Sequence, residues 1–143
     1  AAAGHSEGVV REFAAAVSEA VESGAVTLAP DPYWCETRFF QELPPRLAVP
    51  FLRAGMVVVK GDFNYRRAMR DRIWPAGTSA ADAMGFASAS GEIRRLAQVP
   101  WLFLRTMKSD CLAGIDGETM EKLDRSAPGW RTDGRRGVIQ LVS

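Results

Sequence analysis

Histidine is almost missing from this chain: His5 is the only one in 143 residues. A single imidazole near the start excludes an H-E-x-x-H zinc helix and any multi-histidine metal site, and it leaves little room for a Ser-His-Asp triad within these residues. Cysteine is nearly as scarce. Cys35 and Cys111 stand far apart and form no C-x-x-C spacing, which supports neither a disulfide framework nor a zinc finger. Such sparing use of cysteine suits a reducing, cytoplasmic setting. No apolar run approaches the ~20 residues that cross a bilayer, and no charged segment followed by an apolar one reads as a signal peptide. Excess charge of one sign is lacking too, since 18 basic and 17 acidic residues leave a formal net charge of +1. A duplex-binding module draws its affinity from a basic surplus, so this balance points away from nucleic acid. The motifs G-x-x-x-x-G-K-[ST] and G-x-G-x-x-G do not occur. The opening Ala1-Ala2-Ala3, without Met, is compatible with a fragment, a processed chain or a longer protein.

What is present is a globular composition, 47% hydrophobic and 24% charged, enough for one core in one domain. Val10, Phe13, Ala14, Val17, Ala20 and Val21 recur at helical spacing, with charged residues largely on the opposite face, and Gly24 ends the pattern. Ala25 to Leu28 reads as a short strand, and Pro30 to Pro45 mostly as loop. Leu47 to Arg53 has a helical pattern that Pro50 weakens. Met56 to Lys60, with the run Val57-Val58-Val59, reads as a strand buried on both faces, as in a parallel sheet. A helix is expected from about Asn64, another over Ala80 to Ala89, and a short one over Glu118 to Leu123. Trp101 to Leu104 reads as a second strand and Gly137 to Val142 as a third. Strands alternating with helices give an α/β class, a layered and mostly parallel sheet with flanking helices.

Two stretches carry candidate chemistry. Lys60-Gly61-Asp62-Phe63-Asn64-Tyr65-Arg66-Arg67 leaves the carboxyl end of the first strand, where open α/β sheets bind ligands, and it enters a helix whose free N–H groups suit an anion. Arg66 can hold a phosphate through two parallel hydrogen bonds. Asn64 can both donate and accept, which suits a sugar hydroxyl or a phosphate oxygen. The structural alternative is equally open: Asp62 as a helix cap, and Arg66, Arg67 and Arg70 as a solvated face paired with Asp71. Interleaved Phe63, Tyr65, Arg66 and Trp74 would also suit RNA stacking, against which the charge balance weighs. The second stretch, Arg105-Thr106-Met107-Lys108, also follows a strand. Two cations and a hydroxyl there could hold a phosphate, or could form an ordinary basic turn. A parallel sheet would bring both stretches to one rim, and that convergence is the reason to expect a phosphate site.

These residues resemble one family. Lys60 to Arg66 matches a K-G-D-x-N-Y-R signature, Asp71-Arg72-Ile73-Trp74 the D-R-x-W that follows it, Arg105 to Lys108 an R-T-x-K motif, and Gly137 to Gln140 the closing strand. The family is the damage-control phosphatases, once a domain of unknown function numbered 89, and the subfamily is that of the acidic-residue methyltransferase-like sugar phosphate phosphatases. The resemblance runs from about Tyr33 to the end. It implies a C-terminal portion of a larger α/β domain, with phosphomonoester hydrolysis of small phosphorylated metabolites such as fructose phosphates, dependent on Mn or Mg with Co or Ni as substitutes. It also implies two alternatives: carboxyl methylation of proteins with S-adenosylmethionine, or a truncated, non-catalytic domain. By the resemblance, Asn64, Tyr65, Arg66, Arg67 and Lys108 contact substrate, with Arg105 beside them. Phe63 replaces a usual Leu, and Arg67 stands where Lys or Arg occurs. Asp62 invites assignment as a metal ligand, but the family holds its metal with an Asp-Asn pair and a further Asp ahead of the signature. The sequence contains no such Asp-Asn pair, and Asp31 sits in an unlike Asp-Pro context. Asp62 is therefore expected to stand behind the reacting groups or to shape the turn, with the metal ligands in the remaining N-terminal part of the same domain. No membrane partner is implied.

Overall fold

The computed structural model describes residues 2–143, with side chains from residue 7 onward. The chain divides into two compact units, Ala1–Glu36 and Thr37–Ser143. The first is built on helix α1 (Ala2–Glu22), longer than its apolar spacing suggests. Its stripe of Val10, Phe13, Val17 and Val21 is exposed. Ala25 to Leu28 forms no strand; Val26 N–H instead donates to the Ala20 carbonyl at 2.8 Å, so the segment folds back on the helix end rather than joining a sheet. The Asp31 carboxylate then accepts from Tyr33 N–H and opens a single 3-10 turn over Pro32–Cys35.

The second unit holds α2 (Pro45–Leu52), β1 (Val57–Lys60), α3 (Asp62–Ala68), α4 (Ala80–Met84), α5 (Gly91–Arg95), β2 (Trp101–Thr106), α6 (Gly117–Ser126) and β3 (Gly137–Val142). Pro45 takes the first turn of α2, where a missing N–H is harmless, and Pro50 lies inside that helix. The sheet order is β1-β2-β3. β1 and β2 run parallel, with Lys60 opposite Leu104. β3 returns antiparallel, with Trp101 opposite Val142. The sheet is therefore mixed, and one of its two pairings is parallel.

Helices pack on one face. Val57, Val59, Trp101, Phe103 and Val138 are buried there. Trp101 is ringed by Phe40, Phe51 and Phe86 with centroids 6.0, 5.7 and 5.3 Å away, and Tyr65 meets Phe103 edge-on at 5.5 Å. The opposite face is open. β1 alternates buried and exposed positions instead of being buried on both faces, because no helix of this unit crosses the side bearing Val58, Ile139 and Leu141, all exposed. No helix among the described residues is long and apolar enough to cross a membrane.

Candidate anion-binding site

Parallel pairing fixes where the two basic stretches meet. β1 and β2 point the same way and Lys60 sits beside Leu104, so both chains leave the sheet at one rim. Gly61 N–H continues the ladder to the Leu104 carbonyl at 2.8 Å. The backbone then turns into α3 with Gly61 at φ +96°, a conformation that side-chain-bearing residues rarely adopt. The rim opens as a cleft of about 410 Å³ lined by Lys60, Gly61, Asp62, Arg105, Thr106 and Lys108, with Leu104 and Gly137 to Ile139 forming the apolar side. Lys60 and Lys108 are exposed, and among the described residues neither ammonium has an ion-pair partner.

Arg105 behaves otherwise. Its side chain is 0% exposed, and it pairs with Asp62 at 2.7 Å. Nε donates to Asp62 Oδ1 at 2.8 Å, Nη1 to the Cys111 carbonyl, and Nη2 to the Ser109 carbonyl and hydroxyl at 2.9 and 2.7 Å. The guanidinium lies 4.4 Å from the Tyr65 ring centroid. Every guanidinium nitrogen is thus engaged within the fold, and none is left over for a phosphate. Asp62 Oδ1 also accepts from Lys108 N–H and the Ser109 hydroxyl, each at 3.3 Å. α3 is seven residues long with Asp62 in its first turn, so anion attraction at this rim rests on the two lysines rather than on the helix end.

The remaining signature residues are dispersed. Tyr65 is fully buried. Its hydroxyl accepts from Ala113 N–H at 3.2 Å, and burial pushes its pKa above the ordinary value. Arg67 is buried, with Nε donating to the Arg38 carbonyl at 2.7 Å and its guanidinium near the Phe40 and Phe63 rings. Arg66 lies in a second cleft of about 170 Å³ with Phe39, Phe63 and Asp71. There it grips Asp71 through two hydrogen bonds of 2.6 Å. Those bonds raise the Arg66 pKa and hold the Asp71 carboxyl below its usual range. Asn64 is half-buried and its amide donates to the Lys60 carbonyl at 3.3 Å. The structure therefore joins Lys60, Asp62, Arg105 and Lys108 in one cleft and sets Arg66 and Arg67 against another.

Ser109 is a part of this site that residue patterns miss. It follows the R-T-x-K stretch without any motif of its own, and only the turn of the loop brings it to Arg105. As for a metal, Asp62 is the only carboxylate lining the cleft, and it is committed to Arg105. No group of three or more His, Cys, Asp or Glu side chains among the described residues could hold a metal ion. The residues of this cleft do not form a metal site by themselves.

Residues 2–123 match the family model of the damage-control phosphatase ARMT1-like domain. The chain belongs to that family. The match takes in residues 2–32, ahead of the stretch that carries the resemblance, together with both basic stretches, and it stops before β3. Among curated proteins, the chain is 32% identical over 113 residues to damage-control phosphatase ARMT1 of Rattus norvegicus, covering 76% of this chain and 24% of that protein. The protein of the same name from Danio rerio is 33% identical over 91 residues, 63% of this chain and 18% of that protein. For that of Homo sapiens the figures are 30% over 100 residues, 69% and 20%. The chain thus spans between 18% and 24% of the length of these relatives.

Proposed function

We propose that this chain supplies the anion-gripping wall of a phosphatase site that hydrolyses small phosphorylated metabolites, fructose phosphates among them. The observation that carries the reading is the pair of lysines, Lys60 and Lys108, without ion-pair partners among the described residues, at one cleft on the carboxyl rim of parallel strands, in a chain of the damage-control phosphatase family. Two ammonium groups there would neutralise oxygens of a phosphoryl group as charge shifts onto the leaving oxygen. Arg105 takes no direct part; it compensates Asp62, so that the carboxylate does not repel the substrate. Arg66 joins the site only by exchanging Asp71 for an anion. Tyr65, closed into the core, supports the wall from behind.

A divalent cation, Mn or Mg with Co or Ni as substitutes, belongs to this reading as the group that polarises phosphoryl oxygens. Its ligands are assigned to residues outside this chain. On the same reading, the rest of the domain covers the open sheet face.

The test is phosphate release from fructose 1-phosphate and from an aryl phosphate by the intact protein carrying this chain, with Mg, Mn or Co and with EDTA. Metal-dependent, EDTA-sensitive turnover is expected. A folded protein that releases no phosphate but binds S-adenosylmethionine saturably would replace this reading with carboxyl methylation.

A further inference from the structure

The segment from Met107 to Cys111 is fastened at nearly every residue. Met107 N–H donates to the Arg136 carbonyl at 2.8 Å. Lys108 N–H donates to Asp62 Oδ1. Ser109 offers its carbonyl and hydroxyl to Arg105 and its hydroxyl proton to Asp62, and the Cys111 carbonyl accepts from Arg105. Within that fastened loop, the Lys108 side chain lines the cleft, and among the described residues its ammonium has no ion-pair partner.

We propose that Asp62, Arg105 and Ser109 form a positioning clamp that holds Lys108 in the cleft and keeps its charge available to an incoming phosphate. For its substrate, the inference rests on the phosphatase reading; for the clamp, it rests on the hydrogen bonds alone. Two physical reasons support it. A carboxylate beside a lysine ordinarily takes the ammonium as its own partner, which would quench an anion site. In this loop Arg105 takes up that carboxylate instead, and its fork geometry holds the carboxylate, the serine and a carbonyl at once, as a lysine could not. Secondly, a guanidinium with no exposure is tolerated only when fully paired, so the loop cannot shift without leaving a buried charge unmet. The loop backbone is thereby set before the ligand arrives, which lowers the ordering cost of binding. Asp62, Arg105 and Ser109 act through Lys108 and touch no substrate.

The experiment is a double-mutant cycle in the intact protein, read by binding of inorganic phosphate and by KM and kcat for an aryl phosphate. Ser109→Ala should weaken phosphate binding and raise KM by about tenfold, with kcat less affected. In a Lys108→Ala background the same substitution should add nothing. An equal effect in both backgrounds, or no effect in either, overturns the clamp. If Ser109→Ala unfolds at the assay temperature, Ser109→Thr, which keeps the hydroxyl, and Arg105→Lys, which keeps the charge but not the fork, repeat the cycle. Thr should retain binding and Lys should not; the reverse order overturns the clamp. A protein that binds phosphate with this coupling but hydrolyses nothing sinks the phosphatase reading and leaves the clamp standing. Turnover without the coupling does the opposite, and a folded protein that does not bind phosphate overturns both.

Discussion

Tyr65 and Lys108 are both motif residues, yet a single substitution at each should have opposite consequences. Lys108 is exposed, and among the described residues its ammonium has no ion-pair partner. Lys108→Ala in the intact protein should lower kcat/KM by about a hundredfold or more while the melting temperature stays nearly unchanged; full activity would remove Lys108 from the site. Tyr65 is buried, and Ala113 N–H depends on its hydroxyl. Tyr65→Phe should cost about 1–3 kcal/mol, the penalty of leaving that buried donor unmet, as measured by urea unfolding. Burial also raises the Tyr65 phenol above its ordinary 10.0 and the Cys111 thiol above its ordinary 9.0. The folded state therefore keeps protons that the unfolded chain gives up. The resulting stability is complete below those ordinary values and is lost as pH rises through the higher folded ones. Melting temperatures should fall as pH rises above about 9, and Tyr65→Phe should flatten the part of that fall above pH 10. A slope unchanged in the variant would mean that the phenol ionises freely in the fold.

At the scale of elements, the turn between α3 and α4 is where the chain departs most from ordinary geometry. Arg70 and Asp71 both have positive φ, 61° and 47°, a left-handed pair that side-chain-bearing residues hold only when their surroundings fix them. What fixes them is visible. Asp71 N–H closes α3 on the Arg66 carbonyl, and its carboxylate meets the Arg66 guanidinium. Arg70 reaches the Ala83 and Asp82 carbonyls at 2.8 and 3.0 Å and stacks over Trp74. It thus binds the end of α4, where unpaired carbonyls favour a cation. Arg70→Ala should cost about 1–2 kcal/mol, and Arg70→Lys should restore little of it, because only a fork spans both carbonyls. Equal melting curves for wild type and Arg70→Ala would show that the strained turn stands without this cap. The sequence announced the strands well, since Val57 to Lys60 and Trp101 to Leu104 are apolar runs bounded by glycine and proline, and the parallel rim followed from their alternation with helices. It could not say which signature residues face inward. In a helix as short as α3, Phe63 points to solvent while Tyr65 and Arg67 are buried, and spacing alone fits either orientation. α5 was invisible because a five-residue helix opening on glycine carries no periodic apolar face. The antiparallel return of β3 was hidden because strand direction is set by the connection through α6, not by the strand's own residues. Arg105 read as a ligand-binding cation because its partners, Asp62 and Ser109, are brought to it only by the folded loop.

At the scale of the whole molecule, the sheet of the second unit has an open face. Val58, Leu102 and Leu141 lie in register across the three strands, as do Lys60, Leu104 and Ile139, and Ile139 is 83% exposed. Apolar side chains standing together on a sheet are ordinarily covered, and an uncovered stripe of this kind invites association. β1 and β3 are moreover both edges, each paired only with β2, and edges of this kind accept further strands. Since the chain spans less than a quarter of the length of its Rattus norvegicus relative, a covering segment from the rest of the protein is the economical expectation. It has two consequences that must appear together. Val58→Thr with Ile139→Thr should reduce self-association of the 143-residue chain when it is produced alone, because the stripe is then in water. The same pair should destabilise the intact protein by about 2–4 kcal/mol, because each substitution then removes buried apolar surface and buries a hydroxyl. Sedimentation of the one and thermal unfolding of the other measure these effects. A melting temperature indifferent to both substitutions in the intact protein would mean that the face stays open there, and that the domain is completed somewhere other than over its sheet.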